Sequence, residues 1–354
     1  MPDAPQGRRR AVRFLIASTL GVAAAAFAGS CSRTEGSARP TTLRDAGVEP
    51  GSPYVVVLGT AQDGGLPQIG CGRECCTAAR RDPGLRRLVT SLLAVDPVAD
   101  ARYLLDASPH LPEQVERAQP FGVRSATSDR PALFEGIYVT HAHLGHYAGL
   151  AYLGREAYGS AETVLHGTPS LLGFLKSNGP WSLLFEAGHL RGEPLPVSDT
   201  SPEERVPTDF RQDEQSNSLA ISAFQVPHRG EFSDTVGFLI EGPARSLLYI
   251  PDIDKWERWD VPIEDWIRVV DYALLDGTFF GPSELPGRPM SEIPHPFIVE
   301  SMQRFGALPA AERAKIHFTH LNHSNPAADP RSPEAQRVRD AGFTILEEGQ
   351  IFPL

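Results

Sequence analysis

The chain has 354 residues, 41% of them hydrophobic, enough to bury a full core and too many for a disordered chain. Glycine and proline stand at 32 each, which points to many turns and long loops. The formal net charge is −11, and beyond residue 31 it is −14, from 29 bases against 43 acids. An acidic surface repels phosphate backbones, so no nucleic acid is expected as partner or substrate, and a small molecule is.

The chain begins with a basic head, Arg8, Arg9, Arg10 and Arg13, followed by an uncharged, Ala-rich stretch from Phe14 to Ser30. That is the layout of a bacterial signal peptide. Paired arginines before Phe14-Leu15 also resemble a twin-arginine signal. A run of 17 uncharged residues could instead be a short membrane anchor, although Ala in place of Leu favours cleavage. Ala28-Gly29-Ser30-Cys31 resembles a lipoprotein processing site with Cys31 as the lipidated residue; the alternative is ordinary cleavage beside a cysteine. Residues 32–51 are rich in Ser, Thr, Arg, Gly and Pro and read as a flexible tether. The expectation is an exported protein, periplasmic or a membrane-anchored lipoprotein. Residues 1–31 are the leader, and one domain spans 52–354. Its oligomeric state is open.

Beyond the tether, short strands alternate with helices. Tyr54–Leu58 is a β-rich apolar run ending at Gly59, and Tyr103–Leu105 and Gly136–Val139 are similar. Leu219–Phe224 leads into Val226-Pro227-His228; Thr235–Ile240, Ser246–Ile250, Tyr272–Leu275 and Ile316–Thr319 follow. Helices are predicted at Tyr147–Tyr158, Pro169–Ser177, Pro296–Phe305 and Pro333–Ala341. His141, His228, Asp252, Asp276 and His320 come within a few residues of a strand end, where side chains can converge on one rim of a sheet sandwich. The pattern implies an α/β fold with helices outside two sheets.

The sharpest local signal is Thr140-His141-Ala142-His143-Leu144-Gly145-His146. It packs three of the chain's 11 histidines into six residues. Imidazole is the commonest metal ligand, and a solvated His-rich turn is the bland alternative. The segment resembles the H-x-H-x-D-H motif of the metallo-β-lactamase superfamily. The likeness runs from about Tyr54 to the C-terminus and is strongest to the coenzyme PQQ synthesis protein B family. Val57–Gln68, with its Asp63-Gly64-Gly65, is similar to that family's Gly-rich opening, and His320–Pro326 to its C-terminal motif.

The resemblance implies the αββα sandwich: two mixed sheets with helices on the outer faces. It implies His141, His143 and His228 as ligands of a first metal, Asp252 as bridging carboxylate, and His146 and His320 as ligands of a second. Asp252, His320 and His146 would serve catalysis. Gly145 stands where the motif has Asp, so the second site loses a charge, and a Gly145→Asp change would be expected to strengthen it. Asp276 is either a replacement carboxylate or the cap of its own turn.

Cys71, Cys75 and Cys76 are three cysteines within six residues, a spacing that suits zinc. A Cys71–Cys75 or Cys71–Cys76 disulfide is the alternative, favoured by an oxidising compartment. The resemblance implies a structural zinc closed by His323. For function it implies a zinc hydrolase acting on an ester or phosphodiester through metal-activated water. The alternative is a non-hydrolytic, iron- or zinc-dependent oxidative or binding role linked to pyrroloquinoline quinone biosynthesis.

Overall fold

The valine run of Tyr54–Gly59 is buried at all six positions and forms strand β1. Val55 and Val57 face one apolar layer, while Tyr54, Val56 and Leu58 face another. A strand covered on both faces needs apolar residues throughout, and branched side chains fit the pleat. The structure, a computed structural model, describes residues 42–122, 130–198, 207–208, 218–285, 287, 289 and 292–354. The expected leader, Cys31 and residues 32–41 of the expected tether lie outside the described residues. Residues 42–51 form a turn whose Leu43, Ala46 and Val48 pack on the domain.

The remaining strands of the first sheet are β2 (Ser91–Asp96), β3 (Ala101–Leu105), β4 (Gly136–Tyr138), β5 (Thr163–Gly167) and β6 (Leu190–Pro194). The second sheet follows in the chain: β7 (Val197–Ser198), β8 (Pro207–Thr208), β9 (Ala220–Gln225), β10 (Val236–Glu241), β11 (Ser246–Ile250), β12 (Tyr272–Asp276), β13 (Ile316–Thr319) and β14 (Thr344–Ile345). Strand β15 (Ile351–Pro353) returns to the first sheet beside β1. The orders are β15-β1-β2-β3-β4-β5-β6 and β14-β13-β12-β11-β10-β9-β7, with β8 paired to β9. Strand β2, absent from the elements predicted above, is buried at all six positions like β1.

Helices α1 (Glu74–Arg81), α2 (Leu111–Ala118), α3 (Leu144–Tyr147), α4 (Pro169–Ser177), α5 (Trp181–Glu186), α6 (Ile263–Val269), α7 (Ile298–Phe305), α8 (Ala310–Arg313) and α9 (Pro333–Asp340) complete the described elements. One apolar layer lies between the sheets, around Val57, Phe238 and Tyr249. A second joins the first sheet to α2, α4 and α5, and a third joins the second sheet to α6, α7 and α9. These layers make the expected αββα sandwich. No helix among the described residues is long and apolar enough to cross a membrane.

The helix expected over Tyr147–Tyr158 is instead the single turn α3 followed by a 3-10 stretch, Ala148–Leu153. Gly149 sends its N–H to Ala107 O (2.9 Å), outside the helical ladder. A Cβ there would lie 2.1 Å from Ser108 O, so only glycine lets this turn approach the end of β3.

β1, β3 and β4 point the same way in one sheet, and β9, β11, β12 and β13 do so in the other. The loops leaving their C-terminal ends share one rim. Thr140 O accepts from Val236 N across it at 3.0 Å.

Trp266 of α6 is fully buried and stacks on Phe224 of β9, with centroids 4.3 Å apart. Trp266→Ala should cost about 3–5 kcal/mol in urea unfolding, since a cavity remains where the ring was. Val269→Ala on the same helix, at a residue 55% exposed, should stay within about 0.5 kcal/mol.

Candidate metal centre

Six strand ends deliver the polar side chains. His141 follows β4 and is buried, with Nδ1 2.9 Å from Thr140 Oγ1. That hydroxyl donates to Asp106 Oδ1 (3.0 Å), so it accepts the His141 Nδ1–H, which leaves Nε2 as the bare nitrogen facing inward. His143 is turned the other way. Its Nε2 lies 3.0 Å from Glu231 Oε2, and its Nδ1 is 2.8 Å from His141 Nε2. His228, after β9, places Nδ1 3.2 Å from Asp254 Oδ1. His146 on α3 donates Nδ1–H to Asp106 Oδ2 at 2.8 Å. His320, after β13 and at φ +59°, places Nδ1 2.8 Å from Thr278 Oγ1, which itself donates to Asp276 Oδ1.

Each ring thus has one nitrogen fixed by an oxygen partner and one aimed at a common space. Outer partners of this kind set the tautomer and ring direction of metal-binding histidines. Asp252, after β11, is at the centre. Its Oδ2 is 3.3 Å from His141 Nε2 and 3.9 Å from each of His143 Nδ1, His146 Nε2 and His320 Nε2, and its Oδ1 is 3.3 Å from His228 Nε2.

Four of these inward atoms, His146 Nε2, His228 Nε2, His320 Nε2 and Asp252 Oδ1, are buried without a hydrogen-bond partner. Leaving a buried polar atom unpaired costs about 1–3 kcal/mol, and a cation would satisfy all four at once. The ligand atoms of His141, His143, His228 and Asp252 lie within 4.8 Å of one another, as do those of Asp63, His146 and His320.

Electrostatics suit this donor set. Burial holds His141 and His320 well below the ordinary imidazole range and lowers His228, so these rings are neutral, the ligating form. Burial opposes ionisation of Asp252, but His228, His295 and His320 outweigh it and hold its carboxyl well below the usual range. Burial also works against a charge on His146, yet Asp106 outweighs it and pushes the ring up to about 9. A metal on its Nε2 would have to displace a proton.

Some residues at the rim were not singled out from sequence. Asp106 follows β3 and holds both Thr140 and His146; the strand-end pattern that marked Asp252 applies to it equally. His295 is buried with Nδ1 2.9 Å from Asp276 Oδ2 and 3.1 Å from Asp252 Oδ1. Burial lowers it, but these two carboxylates push its pKa up to about 10. Asp276 spends Oδ1 on Thr278 N and Oγ1 and Oδ2 on Ile253 N and His295, and its carboxylate also lies within 4.8 Å of ligand atoms of Asp252, His295 and His320.

The structure places Asp63, from the Gly-rich opening, against Gly145: Gly145 N donates to Asp63 Oδ1 at 3.1 Å. A Cβ on residue 145 would lie 2.2 Å from that oxygen and 2.9 Å from Asp63 Cα. The expectation that Gly145→Asp would simply add a ligand is therefore corrected, because the space is already filled.

The cysteines form a separate cluster where α1 meets the loop after His320. Cys75 Sγ is 4.0 Å from Cys76 Sγ and 3.6 Å from His323 Nδ1, and Cys76 Sγ is 3.3 Å from that nitrogen. Tetrahedral zinc bonds of about 2.3 Å to sulfur and 2.0 Å to nitrogen would put sulfurs roughly 3.8 Å apart and sulfur and nitrogen roughly 3.5 Å apart. Cys71 belongs to the same group, and all three thiols are free. Burial pushes the Cys76 thiol up to about 12, so it ionises at neutral pH only with a cation beside it.

His166 lies away from the rim, stacked on Tyr138 at 4.3 Å. His110 and His189 are partly buried and bonded to Val89 N and Ser160 O.

Residues 101–320 match the family model for the beta-lactamase superfamily domain. Coenzyme PQQ synthesis protein B of Methylobacterium radiotolerans is 28% identical, over 83% of this chain and 98% of that protein. The Gluconobacter oxydans protein of the same name is 25% identical, over 85% and 98%. Among solved structures, zinc-bound PqqB from Methylobacterium extorquens superposes with a TM-score of 0.67 at 22% identity, covering 85% of this chain and all of that one. A diphosphatase from the PhnP family gives 0.56 at 20% identity, covering 85% and 98%. A match of this extent, on a sandwich with its histidines gathered at one rim, means that the chain belongs to the beta-lactamase superfamily and has the metallo-β-lactamase fold.

Proposed function

We propose that the protein is a metal-dependent hydrolase acting on an ester or phosphodiester of a small molecule, with zinc as its resident ion. The observation that carries this is the set of buried inward atoms without partners, on rings whose other nitrogens are already fixed. His141, His143 and His228 would hold one ion, His146 and His320 a second, and Asp252 would lie between them. Ions held there supply Lewis-acid activation of water and of the scissile group. Asp252 would orient the attacking water, and His295, braced by Asp276, stands 3.1 Å from Asp252 Oδ1. With Nδ1 of His146 and His320 tied down and Nε2 given to ligation, neither ring keeps a nitrogen for proton transfer. This favours ligation over the acid–base role expected for them.

A second reading draws on the relatives, which bear the name coenzyme PQQ synthesis protein B and align over nearly their whole length. It is a non-hydrolytic, zinc- or iron-dependent oxidative or binding role in pyrroloquinoline quinone biosynthesis. Imidazole and carboxylate ligands do not choose between the two metals. Elemental analysis of protein purified without added metal, together with a panel of phosphodiester, ester and lactam substrates, separates the readings. Zinc with turnover supports the hydrolase, whereas iron with no turnover of any substrate sinks it. The leader reading adds that the protein works outside the cytoplasm, carried by Arg8–Arg10 and Cys31. Intact mass of the membrane-extracted protein should begin at a diacylated Cys31, and an unprocessed N-terminus would refute this.

His143→Ala should remove about one metal equivalent and reduce hydrolysis to background, with folding retained. Unchanged metal content would break the assignment. At the second cluster, His323→Ala should lower Tm by several degrees while sparing the rim ions. Binding energy at a structural zinc is folding energy, and each kcal/mol moves a large domain by roughly 2 °C. His320→Ala should do the reverse, cutting turnover with a smaller effect on Tm. The two positions are three residues apart, so the contrast controls for general damage to the loop. Thiol titration of the denatured, chelated protein should find Cys71, Cys75 and Cys76 all free, and one free thiol among them would replace the zinc with a disulfide.

A further inference from the structure

We infer that Asp63 is a ligand of the second ion, a carboxylate supplied from the β1 loop to the place that Gly145 leaves open; this rests on the metal-dependent reading above. His146 Nε2 and His320 Nε2 belong to wholly buried rings and have no hydrogen-bond partner. Asp63 Oδ1 is 3.9 Å from His146 Nε2, and the three ligand atoms lie within 4.8 Å of one another. Asp252 Oδ2, at 3.9 Å from both imidazole nitrogens, completes a set of two imidazoles and two carboxylates.

The loop is built to hold Asp63 there. Ala61 pairs with Leu321 in an isolated bridge, Gln62 N donates to Leu321 O at 2.9 Å, and Asn322 donates its side-chain amide to Gln62. The segment that carries His320 therefore also carries the backbone of Asp63. Gly65, at φ +66°, turns the chain back at once, with its N–H bonded to Gln62 O. On the other side Gly145 N holds one carboxylate oxygen, and the absence of a Cβ at 145 is what admits it.

Charge points the same way. Without Asp63, His146 and His320 would have beside them only Asp252, shared with the first ion, and the carboxylates of Asp106 and Asp276, which are already bonded to other groups. A second carboxylate within reach of His146 and His320 restores the anionic complement that a second dication needs in a buried site. Asp63 and Gly145 are thus one unit. Residue 145 has to be glycine because Asp63 occupies its side-chain volume, and Asp63 has to be acidic because residue 145 is not.

The test is zinc and cobalt(II) binding to the full chain and three variants, by equilibrium dialysis with elemental analysis and by cobalt absorption. The thiolate charge-transfer band reports the cysteine cluster separately from the d–d bands of the rim. The parent should bind two ions at the rim. Asp63→Ala should weaken one of them by roughly 100-fold or more, since loss of an outer partner alone costs 10–100-fold, while the other rim ion and the cysteine site stay filled. Gly145→Asp alone should gain no affinity, because its side chain meets Asp63. Asp63→Asn, which keeps an oxygen for Gly145 N but removes the charge, should lose the same ion as Asp63→Ala. Two rim ions held with parental affinity by Asp63→Ala would overturn the inference and leave the metal-dependent reading standing. A parent with a single rim ion would also overturn it while sparing His141, His143 and His228. A parent with no rim ion would overturn both. Parental affinity for both rim ions in Asp63→Asn, with only Asp63→Ala losing one, would show that Asp63 supports the loop and does not ligate.

Discussion

One buried carboxylate ties the two sheets together at the point where the chemistry is assembled. Asp106, at the end of β3 and wholly buried, accepts four hydrogen bonds: Thr140 N (2.9 Å), Thr140 Oγ1 (3.0 Å), His146 Nδ1 (2.8 Å) and Tyr249 OH (3.2 Å). Thr140 continues β4 of the first sheet, His146 is on α3, and Tyr249 is in the middle of β11 of the second. An ionised carboxyl with all its lone pairs used can be buried; with fewer donors it would cost several kcal/mol. The directions of His141 and His146 both follow from this one group, one through Thr140 Oγ1 and one directly. Its φ of +64° is a left-handed conformation that Asp tolerates better than most residues.

The same scheme recurs around the rim. Each imidazole is held from outside by an oxygen, and the oxygen is held in turn: Thr278 by Asp276, Asp254 by Arg258 and, through its N–H, by Pro227 O. The result is a shell rigid enough to keep several donors pointed into one space before any ion arrives. The mutual repulsion of such donors is what folding has to overcome, and the three apolar layers on either side of the sheets provide the means. Stability is located in the sandwich and strain at its rim, where His320 and Asp106 both have positive φ.

The cysteine cluster and the rim are mechanically joined. His320 and His323 sit on one loop, and the Gly-rich opening that carries Asp63 runs directly on to Cys71, Cys75 and Cys76. Gln68 N donates to Cys76 Sγ at 3.2 Å, and Arg80 ties Gln68 O and Cys71 O together. An ion on the cysteines would therefore fix both ends of the pair of loops that present Asp63 and His320. Structure at one site becomes geometry at the other without any contact between ions.

Much of this was written in the linear sequence. Apolar runs ending in polar residues located β1, β4, β11, β12 and β13, because a strand buried on both faces has to be apolar along its length and chemistry has to begin where it stops. Spacing located His141, His143 and His146, since two residues apart on an extended chain is one face. An α/β fold with helices outside two sheets and the first three histidines were legible for that reason, while the αββα sandwich followed from the family resemblance. Asp63, Asp106, Glu231 and Asp254 were not, because each acts on a residue distant in sequence: 82 positions separate Asp63 from Gly145, and 34 separate Asp106 from Thr140. The sequence by itself determined which residue types would gather at the strand ends. Only the tertiary structure decided that the space beside Gly145 is filled by the carboxylate of another loop, because that outcome depends on how closely two backbones approach, and no local pattern encodes a distance.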